Sequence, residues 1–279
     1  MPLATMTLLV SWIGVDSNGP ASVYIAADSR ISWTTNTVFD RGKKVFAFGT
    51  YPDVVGCCGD DLFPSMAISQ LVELADNGLL FTREMTCQNR FEAFAENLKC
   101  HFSDYPKRDG MLAGNMFQIV YAARDRDNPR AFCTYTIEWR RSSGWKTVCI
   151  PTPDESAITA CLGSGAKHFN KNYIDYQNGL NRSTSRNVFH CFCETLFSNV
   201  DPYCGGSPQL VGIYCKPNSA ALNFGIVRDG KRYLYGMEIP DSPTYDQIQW
   251  RNDLFELCDG ATMNRLADAQ PQPDNLRTS

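Results

Sequence analysis

Thr7, Asp28 and Lys44 offer a hydroxyl, a carboxylate and an ammonium, each at the edge of an apolar run. Side chains of these types cleave amides by acyl transfer. A threonine hydroxyl keeps its proton at neutral pH and becomes nucleophilic only with a base within hydrogen-bond reach. Two further polar residues stand at turns: Ser164 between Gly163 and Gly165, and Asp201 before Pro202. Each has a plainer role beside the chemical one. A strand threonine packs well as a β-branched residue, Asp28 and Lys44 suit a structural ion pair, Gly56 a helix-entry turn, Ser164 a helix N-cap, and Asp201 a turn.

The elements that must position these residues show in the periodicity. Thr7 to Ile13 and Ser22 to Ala27 are apolar, β-branched runs on either side of a turn-forming cluster at 16–20, which predicts a hairpin. Lys44 to Phe48 and Val54 to Cys58 predict a second. The period then changes to about 3.6. Phe63, Met66, Ala67, Leu71 and Leu74 mark one amphipathic helix within Asp60 to Leu80, and Phe91, Phe94, Ala95, Leu98 and Phe102 mark another. Strands return at Phe117 to Ala123, Ala131 to Trp139, Trp145 to Ile150 and Ile158 to Leu162. Helices follow around Phe169, Tyr173 and Ile174 and around Val188, Phe192 and Leu196. Gln209 to Cys215, Ala221 to Val227 and Arg232 to Ile239 complete the strands, the last two joined at Asp229-Gly230, a hairpin signal. Asp246 to Leu257 is expected as a short helix.

The 279 residues suffice for one large domain, and no repeat or linker divides them. A net charge of -4 and a pI near 5.4, without a run of Lys or Arg, give no footprint for nucleic acid or an acidic membrane. No apolar run has the length of a membrane span. The twelve cysteines follow no recognisable signal peptide, and three scattered histidines with no CxxC pair favour neither a metal site nor a cofactor. Free, mostly buried thiols in a reducing cytoplasm are expected.

Strands grouped between pairs of helices point to an α+β class in which helices cover antiparallel sheets. A four-layer αββα sandwich accommodates this order. Six short segments also stand in a familiar sequence: Thr7-Leu-Leu-Val10, Ala27-Asp28-Ser29-Arg30, Gly42-Lys43-Lys44-Val45-Phe46, Val54-Val55-Gly56-Cys57-Cys58-Gly59-Asp60, Gly163-Ser164-Gly165 and Asp201-Pro-Tyr-Cys-Gly-Gly206. In types and order they resemble the proteasome β-subunit and HslV-type peptidase family of N-terminal-nucleophile (Ntn) hydrolases, over roughly Thr7 to Ile239.

That resemblance implies an Ntn-hydrolase domain over 7–258, preceded by a leader or mis-assigned start at 1–6 and followed by a polar, flexible tail at 259–279. It implies Thr7 as nucleophile with its own α-amine as base. Lys44 would lower the amine's pKa, and Asp28 would orient Lys44. Ser164 and Asp201 would complete a network around the amine, the Gly56 N–H would serve the oxyanion, and Val54 and Cys58 would line the substrate pocket. The resemblance further implies a peptide or unfolded-protein substrate, no cofactor, and assembly of this chain into a homo-oligomeric ring. Because the chain has no ATP-binding glycine loop, any unfolding ATPase would be a separate partner.

The sequence departs from the family in three places. Residues 1–6 precede Thr7, with Met6 where a propeptide glycine is usual; Met6 as true initiator, removed by methionine aminopeptidase, would expose Thr7. Cys204 replaces the serine of Asp-x-x-Ser-Gly-Gly, and Ala166 a second serine after Gly165. A catalytically silent structural subunit, or an Ntn amidase acting on small amides, are the alternative functions.

Overall fold

Alternation in the first hairpin sends side chains to two different apolar layers, so that both faces of its strands are buried. The computed structural model describes residues 7–60, 62–106, 116–242 and 244–270. The expected leader, and the tail beyond 270, lie outside these residues. Strands β1 (Leu9–Asp16) and β2 (Gly19–Ala27) form the hairpin, and a small one, β3 (Ile31–Ser32) with β4 (Val38–Phe39), follows. Next come β5 (Val45–Ala47), β6 (Asp53–Gly59), helices α1 (Leu62–Asp76) and α2 (Cys87–Asp104), and strands β7 (Met116–Arg124), β8 (Phe132–Arg140), β9 (Gly144–Ile150) and β10 (Ala157–Leu162). Helices α3 (Ala166–Gln177) and α4 (Ser185–Phe197) precede β11 (Gln209–Tyr214), β12 (Leu222–Arg228), β13 (Lys231–Leu234), β14 (Met237–Glu238), β15 (Gln249–Arg251) and β16 (Leu257–Cys258).

One sheet runs β10-β1-β2-β11-β12-β13-β14, with β15 and β16 branching from β12; a second runs β5-β6-β7-β8-β9. Leu9, Ile13, Val23 and Ile25 of the first sheet share an apolar layer with Val45, Val54, Cys58 and Val120 of the second. The alternate residues Val10, Trp12, Tyr24 and Ala26 pack instead on Phe169, Val188, Phe189 and Phe192 of α3 and α4. Phe63, Ile68 and Leu71 of α1 and Phe91, Phe94 and Leu98 of α2 cover the other sheet, against Val55, Phe117 and Tyr121. Thr86 and Thr184 cap α2 and α4, accepting from the amides of Asn89 and Asn187 at 3.2 Å each.

Two expectations are corrected. No helix forms across 246–257. The Asn252 side chain accepts from the amides of Leu254 and Glu256 at 3.1 and 2.9 Å, a local turn that competes with a helical ladder, and β15 pairs in parallel with β12. The strand expected from Arg232 to Ile239 breaks into β13 and β14 at Tyr235 and Gly236, both at positive φ. Residues 259–270 run as turns beside β16, with a bridge from Cys258 to Arg265 and with Ala269 buried.

Phe94, with no exposed surface, is expected to cost about 3–5 kcal/mol as Phe94→Ala. Leu180→Ala, at a side chain 85% exposed, should change stability by less than about 0.5 kcal/mol. Denaturant titration of the two variants measures both.

Candidate active site

Because β1 lies between β10 and β2, the segment entering β1 is flanked by the residues that follow β10 and β2. The Asp28 amide donates to the Leu8 carbonyl at 3.1 Å, and the Gly165 amide to the Thr7 carbonyl at 3.2 Å. Gly163 approaches Thr7 so closely, at a φ of 89°, that a Cβ there would run into the Thr7 carbonyl. Only glycine suits both the dihedral and the approach.

Lys44 enters from the other sheet, immediately before β5. Its Nζ donates to Thr7 Oγ1 at 2.7 Å, to Asp28 Oδ1 at 3.2 Å and to the Arg30 carbonyl. Thr7 and Asp28 are wholly buried and Lys44 is 1% exposed. Asp28 also accepts from the amides of Leu8, Arg30 and Gly205, each at 3.1 Å. Burial pushes its carboxyl above the ordinary range, while Lys44 and the Gly205 and Leu8 amides pull in the opposite direction. Arg30 turns its guanidinium away, onto both carboxylate oxygens of Asp40 and the Pro202 carbonyl. Any side chain at Gly205 would collide with that guanidinium.

A second set of contacts leads from the Thr7 nitrogen. It donates to Ser164 Oγ at 3.4 Å, Ser164 Oγ lies 3.8 Å from Cys204 Sγ, and Cys204 Sγ donates to Asp201 Oδ2 at 3.5 Å. Burial, with the negative charges of Asp28 and Asp201, raises the Cys204 pKa and keeps the thiol protonated as a donor. Ser164 is no helix cap: Gly165 holds the N-cap position of α3. Asp201 does shape a turn, accepting from the Tyr203 amide at 3.0 Å, and connects to the Thr7 nitrogen through Cys204 and Ser164.

Thus Thr7, Asp28, Lys44 and Ser164 come into direct contact. Val54, Gly56 and Cys58 sit one layer over, in β6, with both side chains fully buried between the sheets. A Cβ on Gly56 would meet Leu9 Cδ1 at 2.9 Å and Ile25 Cγ2 at 2.7 Å. Cys57 donates its amide to the Lys44 carbonyl at 2.9 Å, on the β5 side. Alternation along the strand therefore turns the Gly56 N–H toward Val120 in β7. A role at the oxyanion would require that amide to leave the β6–β7 ladder.

Sequence reasoning missed Gln209. Its amide donates to the Asp28 and Gly42 carbonyls at 3.0 and 2.8 Å and accepts from the Lys44 amide at 3.1 Å, tying Lys44 to Asp28 at the end of β2. The available signal was a glutamine opening an otherwise apolar strand.

No family model matches the chain, and no curated protein matches it by sequence. Solved structures do match it. A mutant of Anbu from Hyphomicrobium sp. strain MC1 is similar at 12% identity and a TM-score of 0.51, over 78% of this chain and 86% of that one. The helical assembly of the Anbu complex from Pseudomonas aeruginosa is similar at 13% identity and a TM-score of 0.52, over 86% and 89%. Anbu from Yersinia bercovieri, described as an ancestral β-subunit, aligns at 10% identity and a TM-score of 0.47, over 77% and 86%. The first two likenesses show that the chain shares the fold of these Anbu structures, and they do not single out the HslV type.

Gln209→Leu strands two buried carbonyls and one amide, and should lower stability by at least about 2 kcal/mol, since each unpaired buried group costs about 1–3 kcal/mol. Chemical denaturation checks this, and a loss below about 0.5 kcal/mol would contradict the bridging role.

Proposed function

We propose that the chain is a threonine-type amide hydrolase that cleaves peptide bonds once the Thr7 amine is free. The observation that carries this is the Lys44 ammonium 2.7 Å from Thr7 Oγ1, held by Asp28. In the proposed cycle the Thr7 hydroxyl attacks the substrate carbonyl while its proton passes to the α-amine. The C–N bond breaks, the leaving amine takes that proton, and a Thr7 ester remains; water, deprotonated by the same amine, then attacks the ester, the acyl C–Oγ1 bond breaks, Oγ1 takes the proton back from the amine and the acid product leaves. Lys44 stabilises negative charge on Oγ1 and disfavours protonation of the amine. Ser164, with Asp201 behind it through Cys204, orients the amine. Gly56 is the proposed oxyanion donor on condition that substrate entry frees its amide, and Val54 and Cys58 would floor the pocket so opened.

We extend the proposal to assembly and stacking. The three apolar layers favour a four-layer sandwich, and the helical assembly of the Anbu complex favours self-association, open or closed. A peptide or unfolded chain is the proposed substrate. Among the described residues no helix is long and apolar enough to cross a membrane.

Intact-mass analysis of native protein should give a species beginning at Thr7, and that species should hydrolyse short fluorogenic peptides. Thr7→Ala should abolish hydrolysis, and Lys44→Met should reduce it on the order of 10²–10³-fold, as removal of a charge-stabilising donor does. Hydrolysis unchanged by Thr7→Ala would overturn the assignment. A uniformly unprocessed, inactive chain would point to the silent subunit.

A further inference from the structure

The register of β2 with β11 places Asp28 and Gln209 at one end of the first sheet and Ser22 and Tyr214 at the other. Beyond that far end, where the β5–β6 turn meets the end of β7 and the β11–β12 loop, lies a cavity of about 220 Å³ whose lining includes Arg83, Arg90, Arg124, Arg126, Thr50 and Asn218. Nothing in the hydrolytic chemistry uses it.

Among the described residues, four arginines and no acid stand in that lining. Arg90, 2% exposed, places Nε against both oxygens of Asp53 at 3.1 and 2.9 Å, and spends its other nitrogens on the Met85 and Arg124 carbonyls. Asp53 also accepts from the Tyr121 hydroxyl. Arg124, 1% exposed, donates to the Lys216 and Ser219 carbonyls, and its Nε has no hydrogen-bond partner among the described residues. Carbonyls satisfy N–H groups without cancelling a charge, which makes a buried guanidinium costly; Asp53 acts on Arg124 as well, but its carboxylate is bonded to Arg90. At the rim Arg83 and Arg126 are exposed, the latter donating to the Arg83 carbonyl at 3.3 Å. Two acids lie outside the lining with their carboxylates on backbone amides, Asp76 accepting from Gly49 and Thr50 and Asp125 from Asp127. Glu84 lies at the surface, where the Thr82 side chain first, then its own amide and lastly Arg126 and Arg83 hold its carboxyl below the usual range. None of these acids forms an ion pair with Arg83, Arg124 or Arg126 among the described residues.

We propose that this cavity binds a phosphate group. A phosphate carries roughly -1.5 to -2 charge, and its oxygens match the planar fork of arginine. The cavity is smaller than the roughly 300–1,000 Å³ of sites for drug-sized ligands, yet it accommodates a phosphate or small phosphomonoester. Thr50 and Asn218 add a hydroxyl and an amide to its wall. The source is either free inorganic phosphate or a phosphorylated small molecule.

Isothermal titration of the full chain with inorganic phosphate and with glycerol phosphate, at constant ionic strength and with acetate as control, tests this. One saturable phosphate site is expected, weakened at least tenfold in the double variant Arg83→Ala/Arg126→Ala, whose exposed positions leave the fold intact by circular dichroism. Equal affinity for the two probes would assign the site to the free anion, and tighter binding of the ester to a phosphorylated ligand. Absence of saturable binding by either probe, acetate binding as tightly as phosphate, or unchanged binding in the double variant would overturn the proposal.

Discussion

An ammonium and a carboxylate removed together from water persist only where geometry and additional hydrogen bonds offset their lost hydration. Lys44 and Asp28 meet that condition between the two sheets, and much of the surrounding chain follows from it. Asp28 takes three backbone amides besides Lys44 Nζ, drawn from Leu8, Arg30 and Gly205. Lys44 also donates to Thr7 Oγ1 and the Arg30 carbonyl. Loss of either charge would strand the other, at a cost of about 3–5 kcal/mol. The pair thereby joins the entrance of β1, the end of β2, the start of β5 and the 205–206 turn.

The same constraint explains why small residues surround the nucleophile. Gly163 lies against the Thr7 carbonyl, leaving no space for a Cβ, and Gly205 lies against the Arg30 guanidinium, which would have to shift to admit one. Cys204 fits the network as a protonated donor between Ser164 and Asp201. Thiol hydrogen bonds are weaker than hydroxyl ones, so the orientation of the Thr7 nitrogen depends mainly on Ser164.

Much of this was legible in the sequence because hairpins and amphipathic helices have short-range signatures. The runs around Trp12, Tyr24, Phe94 and Val188 alternate with the right period and fall in the expected elements. The direct contact of Thr7, Asp28, Lys44 and Ser164 also fits the order of the motifs. What escaped depends on register or on distant partners. The direction of the Gly56 amide follows from which of two neighbours β6 faces at that residue, and no local pattern encodes it. Asn252 stops a helix through its own side chain, a competition that apolar spacing does not reveal. Arg83, Arg90, Arg124 and Arg126 converge only after folding, so a search for basic runs passed over them.

Whether Thr7 is the nucleophile is tested most directly by trapping the ester. Protein beginning at Thr7, incubated with a peptidyl β-lactone and digested, should carry the acyl group on the Thr7 peptide and lose it when Lys44 is replaced by methionine. An adduct on another residue, or none at all on protein whose Thr7 amine is free, would contradict the account.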